Sequence, residues 1–313
     1  MSSIEFERIN GGAALNARPK QPEWKTVDNP LWAYPNGIRS WKPAQHDAIM
    51  FGDEPCPICS GKQVVEYTQR LEGTDRIMKV PTACLCQLVI RRKLKLLKGL
   101  LPERYLRSSL WSIKPSEKSK MSMERQEKTI QYIKANKNSS FFFYGPPGTS
   151  KTTFTTALMR FHLEQNWKPG LILDEWGGVY EFKNSFWLHY INWDRLIQEH
   201  LDYQNHPGTA PPPSLTPRLI REAAAKGRTP VIAIEEVDKS RLTEYKCNKL
   251  FEFICAIDDV NGRLIMTTNH TSLESFQKWL YQTDNENINI AGEPVWRRIS
   301  DNCLMVNCKR GDS

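Results

Sequence analysis

The stretch FFFYGPPGTSKTTF, residues 141–154, sets a short aromatic run against a Gly-Pro-Pro-Gly turn and follows it with residues able to continue as a helix. A brief apolar run closed by such a turn fits a parallel strand buried on both faces. The turn then follows G-x-x-x-x-G-K-[ST] except at one place: Ser150 stands where the pattern has its second glycine. Loops of this type turn their amide N–H groups toward phosphate oxygens at the positive end of the next helix. A lysine adds charge, and a Ser or Thr hydroxyl binds magnesium. The candidate phosphate-contacting residues are therefore Gly145, Pro146, Pro147, Gly148, Thr149, Ser150, Lys151, Thr152 and Thr153. Ser150 costs roughly 1–2 kcal/mol if the position demands a positive φ and little if it is helical. Taken alone, the loop also fits a plain strand-to-helix turn with an incidental lysine.

A second stretch, VIAIEEVD at 231–238, narrows the choice: a buried strand ends there in paired carboxylates. Such a strand delivers a magnesium-associated acid and a water-activating acid to a phosphate loop. Glu235 takes the metal-side position, one methylene longer than the usual aspartate, so contact through a water is expected there. Glu236 takes the position of the general base. RLIMTTN, 263–269, reads as a strand ending at Asn269, placed to hold an attacking water. In EPVWRRISDN, Arg297 and Arg298 precede a final strand, NCLMVNC. An arginine there either reaches a neighbouring subunit's site or is plain surface charge.

Strand-like and helix-like segments alternate along the rest of this region. Helices are expected over 123–136, from 151, from Asn192 as cap, at 218–226, 243–257 and 272–281, with strands at 141–144, 186–191, 231–236 and 263–269. The proline-rich HPGTAPPPSLTP, 206–217, is an exposed loop. This alternation predicts an α/β fold, a parallel sheet flanked by helices.

GPPGTSKT, VIAIEE, TTN and WRRI, in that order and at these intervals, resemble an AAA+ ATPase. The brief stretch after Arg298 leaves no room for a C-terminal helical lid, which is similar to the DnaC/IstB-like group of helicase loaders and transposition helpers. LPERY, 101–105, matches a phrase that often precedes the ATPase core there. The resemblance implies ATP and Mg2+ as ligands, Lys151, Glu236 and Asn269 as catalytic residues, Thr152 and Glu235 as the magnesium side, and Arg298 or Arg297 as a finger acting in trans. It further implies single-stranded DNA, a replicative helicase or else a transposase, and a homo-oligomer, ring or helical, as partners. A non-hydrolysing nucleotide-dependent adaptor is the alternative from another class.

With 40% hydrophobic residues the chain has enough apolar material for a core, and its longest apolar runs fall far short of a membrane span. A soluble cytoplasmic protein is the expectation, with residues 1–50 an irregular arm bearing Trp24, Trp32 and Trp41, residues 51–100 a metal-binding module with a basic helix, and 101–313 the ATPase domain. The net charge of +8 is concentrated in RRKLKLLK, 91–98, where Ile90, Leu94, Leu97 and Leu101 mark one helical face. The basic face fits either solvent or phosphates.

CPIC at 56–59 and CLC at 84–86 offer four thiolates, Cys56, Cys59, Cys84 and Cys86, around the β-like stretches 64–67 and 76–80. In a chain without a secretory signal, close cysteine pairs point to metal rather than disulfides. Four sulfurs in tetrahedral array suit a structural Zn2+ site; an iron–sulfur cluster and unligated buried thiols are the alternatives. Metal analysis of the purified chain is expected to find stoichiometric zinc that Cys56→Ser abolishes; a folded, zinc-free protein overturns the assignment.

Overall fold

The computed structural model describes residues 64–70, 77–83, 95–106, 108–172, 178–182, 185–281 and 292–310, with backbone alone within 64–83 and 167–182. Cys56, Cys59, Cys84 and Cys86, the N-terminal arm and residues 91–94 of the basic stretch lie outside the described residues. Two compact units are present. One holds two antiparallel hairpins, β1 (Val64–Arg70) with β2 (Ile77–Ala83) and β4 (Trp167–Ile172) with β5 (Gly178–Phe182). The first is the hairpin expected between the cysteine pairs. The second was not anticipated: WKPGLI carries a proline and a glycine, which mask a strand in a sequence pattern.

The other unit is built on a five-stranded parallel sheet in the order β6-β7-β8-β3-β9. Its strands are β3 (Ser140–Tyr144), β6 (Phe186–Asn192), β7 (Thr229–Glu235), β8 (Arg263–Thr268) and β9 (Cys303–Asn307). Phe141, Phe142 and Phe143 are fully buried, as the unbroken apolar run requires of a central parallel strand. The pleat sends them to opposite faces. Phe141 stacks beside Phe143, whose ring lies 6.0 Å from that of Phe154. Phe142 points the other way, its ring 4.8 Å from Phe276, into a cluster with Trp193, Ile232, Ile234 and Phe253.

The helices are α1 (Met123–Ala135), α2 (Lys151–Glu164), α3 (Trp193–Asn205), α4 (Pro217–Ala225), α5 (Glu244–Asp258), α6 (Leu273–Tyr281) and α7 (Gly292–Asn302). α2 supplies Phe154 to the Phe143 face; α3 to α7 supply the Phe142 cluster. Caps fix three starts: Asn192, Thr216 and Thr243 accept from the N–H groups of Arg195, Leu219 and Lys246. Pro217 takes the first helical turn of α4, where its missing N–H costs nothing. The segment with Arg297 and Arg298 is a full helix, which was not anticipated because Gly292 and Pro294 sit in its first turn. Of the basic helix, residues 95–100 are described, with Leu97 buried and Lys95 and Lys98 exposed. No described helix is long and apolar enough to cross a membrane.

Register decides what the sheet presents at its carboxyl edge. Tyr144 pairs with Thr268 on one side and Asn307 on the other, while Ile234 pairs with Met266. Continued past the strand ends, this alignment brings Gly145, Glu236 and Asn269 out at neighbouring points, where ligands bind in open parallel sheets. Phe142→Ala empties the centre of the sheet and is expected to cost about 3–5 kcal/mol of stability, read as a lower urea midpoint at unchanged slope.

Candidate phosphate-binding site

The loop between β3 and α2 leaves the strand at Gly145, whose φ is +144°. A Cβ there would sit 2.3 Å from the Cys308 carbonyl oxygen, so only glycine fits. The Cys308 N–H in turn donates to the Tyr144 carbonyl at 2.7 Å, tying the end of β9 to the start of the loop. Gly148 has φ +84° and packs under the Lys120 side chain. Ser150 settles the question its sequence position raises: φ is +66°, the left-handed region, so the serine carries the strain that the glycine of the usual pattern avoids. Its side chain makes no capping hydrogen bond, and the first turn of α2 holds no acidic residue. The leading N–H groups of α2 thus face the loop with their partial positive charge unopposed, which is the arrangement that receives an anion.

Lys151 opens α2 and is buried, its Nζ donating to the carbonyls of Gly145 (2.6 Å) and Pro146 (2.9 Å). Burial lowers its pKa, an effect countered by the negative charge of Asp238, Glu236 and Glu235 around it. Glu235, at the end of β7, accepts a hydrogen bond on Oε2 from the Tyr190 hydroxyl of β6. Burial pushes its carboxyl pKa up, while the Tyr190 and Thr152 hydroxyls pull it down. Oε1 of Glu235 is buried with no hydrogen-bond partner. Burial, and then the neighbouring Glu235 charge, keep the Tyr190 phenol protonated.

Glu236 follows with φ +49°, a second non-glycine residue in the left-handed region, its side chain partly exposed and paired at 3.2 Å with Lys239. Its N–H donates to Thr267 Oγ1 at 2.9 Å, and the Val237 N–H to the Thr267 carbonyl at 3.1 Å. Asp238, not singled out from the sequence, accepts from the Asn269 N–H with both oxygens, at 3.1 and 2.9 Å, from a nearly buried position. Thr267 and Asp238 therefore lock the ends of β7 and β8 together and fix where Asn269 starts. A carboxylate two residues past the paired acids was the available signal for Asp238; nothing in the sequence pointed to Thr267 or Tyr190.

Residues 147–154, Glu236, Thr267 and Asn269 line one cleft of about 460 Å³, within the range of small-ligand sites. Two further walls come from segments that precede the loop in the chain. Arg104 and Tyr105 of LPERY lie on a short 3-10 turn (Glu103–Tyr105), the guanidinium 4.7 Å above the Tyr105 ring. Lys114, Ser116, Lys118 and Ser119 form the other wall. Gln126 holds this segment, accepting from the Ser116 N–H and donating to the carbonyls of Ser116 and Met121. The Lys120 N–H donates to the Gly148 carbonyl at 2.9 Å.

Neither Arg297 nor Arg298, the arginines expected to act in trans, lines this subunit's own cleft. Arg298 is bound to Asp258 at 2.7 Å and lies over the Phe251 ring, whereas Arg297 is 82% exposed with Asp301 at 3.8 Å. Among the described residues no group of three or more His, Cys, Asp or Glu forms a metal cage. Thr152 and Glu235 still suit Mg2+, which takes one or two protein oxygens and fills the rest of its shell with water and phosphate. The unpartnered buried Oε1 of Glu235 is a hard oxygen of the required kind.

No family model matches the chain, and no curated protein matches it. Among solved structures it is similar to a crystal structure of the DnaC helicase loader, at 13% identity over 67% of this chain and 99% of that one, with a TM-score of 0.46. It is also similar to DnaI, at 13% identity over 67% and 94% of the two chains (TM-score 0.42). For AMPPCP-bound DnaA from Aquifex aeolicus the values are 12%, 67% and 51% (TM-score 0.42). The functional reading of the cleft rests on its own geometry.

Replacing Ser150 by glycine relieves the left-handed strain at the cost of a more flexible unfolded chain. The expected net gain is about 0.5–1 kcal/mol, measured by denaturant unfolding. A loss of stability in Ser150→Gly would overturn this account of the loop.

Proposed function

We propose that this chain is a Mg2+-dependent ATPase of the AAA+ kind. The carrying observation is convergence: an uncapped helix N-terminus, Lys151, Thr152, Glu236 and Asn269 all line one cleft, and the Glu235 carboxyl lies behind it beside Thr152. The loop amides and Lys151 bind the phosphates of ATP, and Lys151 shifts charge from the loop carbonyls to them. Thr152 and Glu235 would hold Mg2+, which supplies neutralisation of the phosphate oxygens. Glu236 takes the proton of the attacking water as its oxygen bonds to the γ-phosphorus and the bond to the bridging oxygen breaks. Asn269, anchored through its backbone to Asp238, orients that water.

Of the two arginines on α7, Arg298 already has a partner in its own subunit. Arg297, exposed and loosely paired, is the better placed to act on a neighbouring subunit, where such a charge is worth roughly 10³–10⁵ in rate. The motif order, the two cysteine pairs and the basic stretch 91–98 support a finer reading. In it the ATPase is a helicase loader that binds single-stranded DNA, assembles as a homo-oligomer and carries an N-terminal zinc module.

Glu236→Gln is expected to bind ATP as the parent does while steady-state hydrolysis falls at least roughly 10²-fold. If the parent chain binds ATP without turnover, the site is that of a nucleotide-dependent adaptor and the hydrolytic proposal fails.

A further inference from the structure

Glu235 poses a problem of length. It carries one methylene more than the aspartate usual at the metal-side position, and an unanchored glutamate loses more side-chain freedom on being fixed. The structure supplies an anchor from the neighbouring strand. The parallel register of β6 and β7 sets Asn192 opposite Glu235 and Tyr190 opposite Ala233. Tyr190 therefore lies on the same sheet face as Glu235, two residues back, within diagonal reach of a long side chain. Its hydroxyl donates to Glu235 Oε2.

The two carboxylate oxygens are left in different states. Oε2 is committed to Tyr190; Oε1 is buried and has no hydrogen-bond partner, on a carboxyl group that also feels the Thr152 hydroxyl. A buried acceptor without a partner is costly to the folded chain unless a ligand completes it. We propose that Tyr190 is a positioning residue that makes a glutamate usable here: by holding Oε2 it leaves Oε1 for the divalent cation that accompanies the nucleotide. This rests on the proposed reading of the cleft as a Mg2+–nucleotide site, and it adds a residue from β6, a strand that the phosphate-loop motifs do not include. Tyr190 acts through Glu235 and does not itself touch the nucleotide.

The test is calorimetric titration of a non-hydrolysable ATP analogue into the full chain, across a Mg2+ series and in EDTA, for the parent, Tyr190→Phe, Glu235→Asp and the double variant. Tyr190→Phe keeps the ring and removes only the donor. It is expected to raise the Mg2+ concentration for half-maximal enhancement by roughly tenfold, the scale of one hydrogen bond to a charged group, and to leave affinity in EDTA unchanged. In the Glu235→Asp background, where the carboxylate falls short of the hydroxyl, Tyr190→Phe is expected to add nothing. An unchanged Mg2+ dependence overturns the proposal, as does an equal loss of affinity with and without Mg2+, which is what a purely structural role gives. Should Tyr190→Phe not fold, Glu235→Asp decides: weaker Mg2+ coupling supports the anchor, and coupling equal to the parent's overturns it. A parent chain whose binding ignores Mg2+ refutes the reading of the cleft itself, an outcome distinct from a Mg2+-responsive parent matched by Tyr190→Phe.

Discussion

The Cys308 carbonyl oxygen lies so close over Gly145 that a β-carbon there would meet it at 2.3 Å, and the Cys308 N–H is held by the Tyr144 carbonyl. This contact pins the last residue of the central strand to the edge strand just before the chain must turn. Because β3 is paired on both sides, by β8 and β9, and buries Phe141 to Phe143, the turn has little lateral freedom, and its direction is handed on to the phosphate loop and the axis of α2. The neighbouring strand ends are fixed by separate devices: the Thr267 hydroxyl and carbonyl receive the Glu236 and Val237 N–H groups, and Asp238 receives the Asn269 N–H. The cleft is thus a set of strand termini braced against one another.

Strain and charge are concentrated at that edge. Ser150 and Glu236 both adopt positive φ without being glycine, each at a cost of order 1–3 kcal/mol that the surrounding sheet sustains. Glu235, Glu236 and Asp238 cluster around a buried lysine, so the cation is partly neutralised before any phosphate arrives and the carboxylates are partly neutralised by it. Left-handed residues and like charges in one place are what a site under functional constraint exhibits. Elsewhere the same fold follows ordinary rules, with Asn192, Thr216 and Thr243 capping their helices and aromatic rings filling the face beneath Phe142.

Much of the fold was legible because the elements of the five-stranded unit carry strong local signals. FFFY, VIAIE and RLIMTT are apolar runs bounded by polar or glycine residues, and Asn192 announces the start of α3. The hairpin of β4 and β5 escaped because Pro169 and Gly170 interrupt its first strand, and α7 escaped because Gly292 and Pro294 read as loop. Spacing singled out the loop, Lys151, Glu235, Glu236 and Asn269, and all of these but Glu235 contribute to the lining of the cleft. Thr267, Asp238, Tyr190 and the wall held by Gln126 were not singled out. Each of these acts through a partner on another strand or segment, at a separation no sequence window contains.

By itself the sequence determined the order of the strands in the five-stranded unit and which side chains stand at their ends, since apolar runs, turn residues and the loop motif are all local. Only the tertiary structure decided that Ser150 sits in the left-handed region, that Arg298 is tied to Asp258 while Arg297 stands exposed, and that a tyrosine from β6 holds Glu235. Those outcomes depend on sheet order and register, which place β6 beside β7 and β8 between β7 and β3. Register is fixed by matching the buried faces of neighbouring strands, a relation between segments that no single stretch of chain contains.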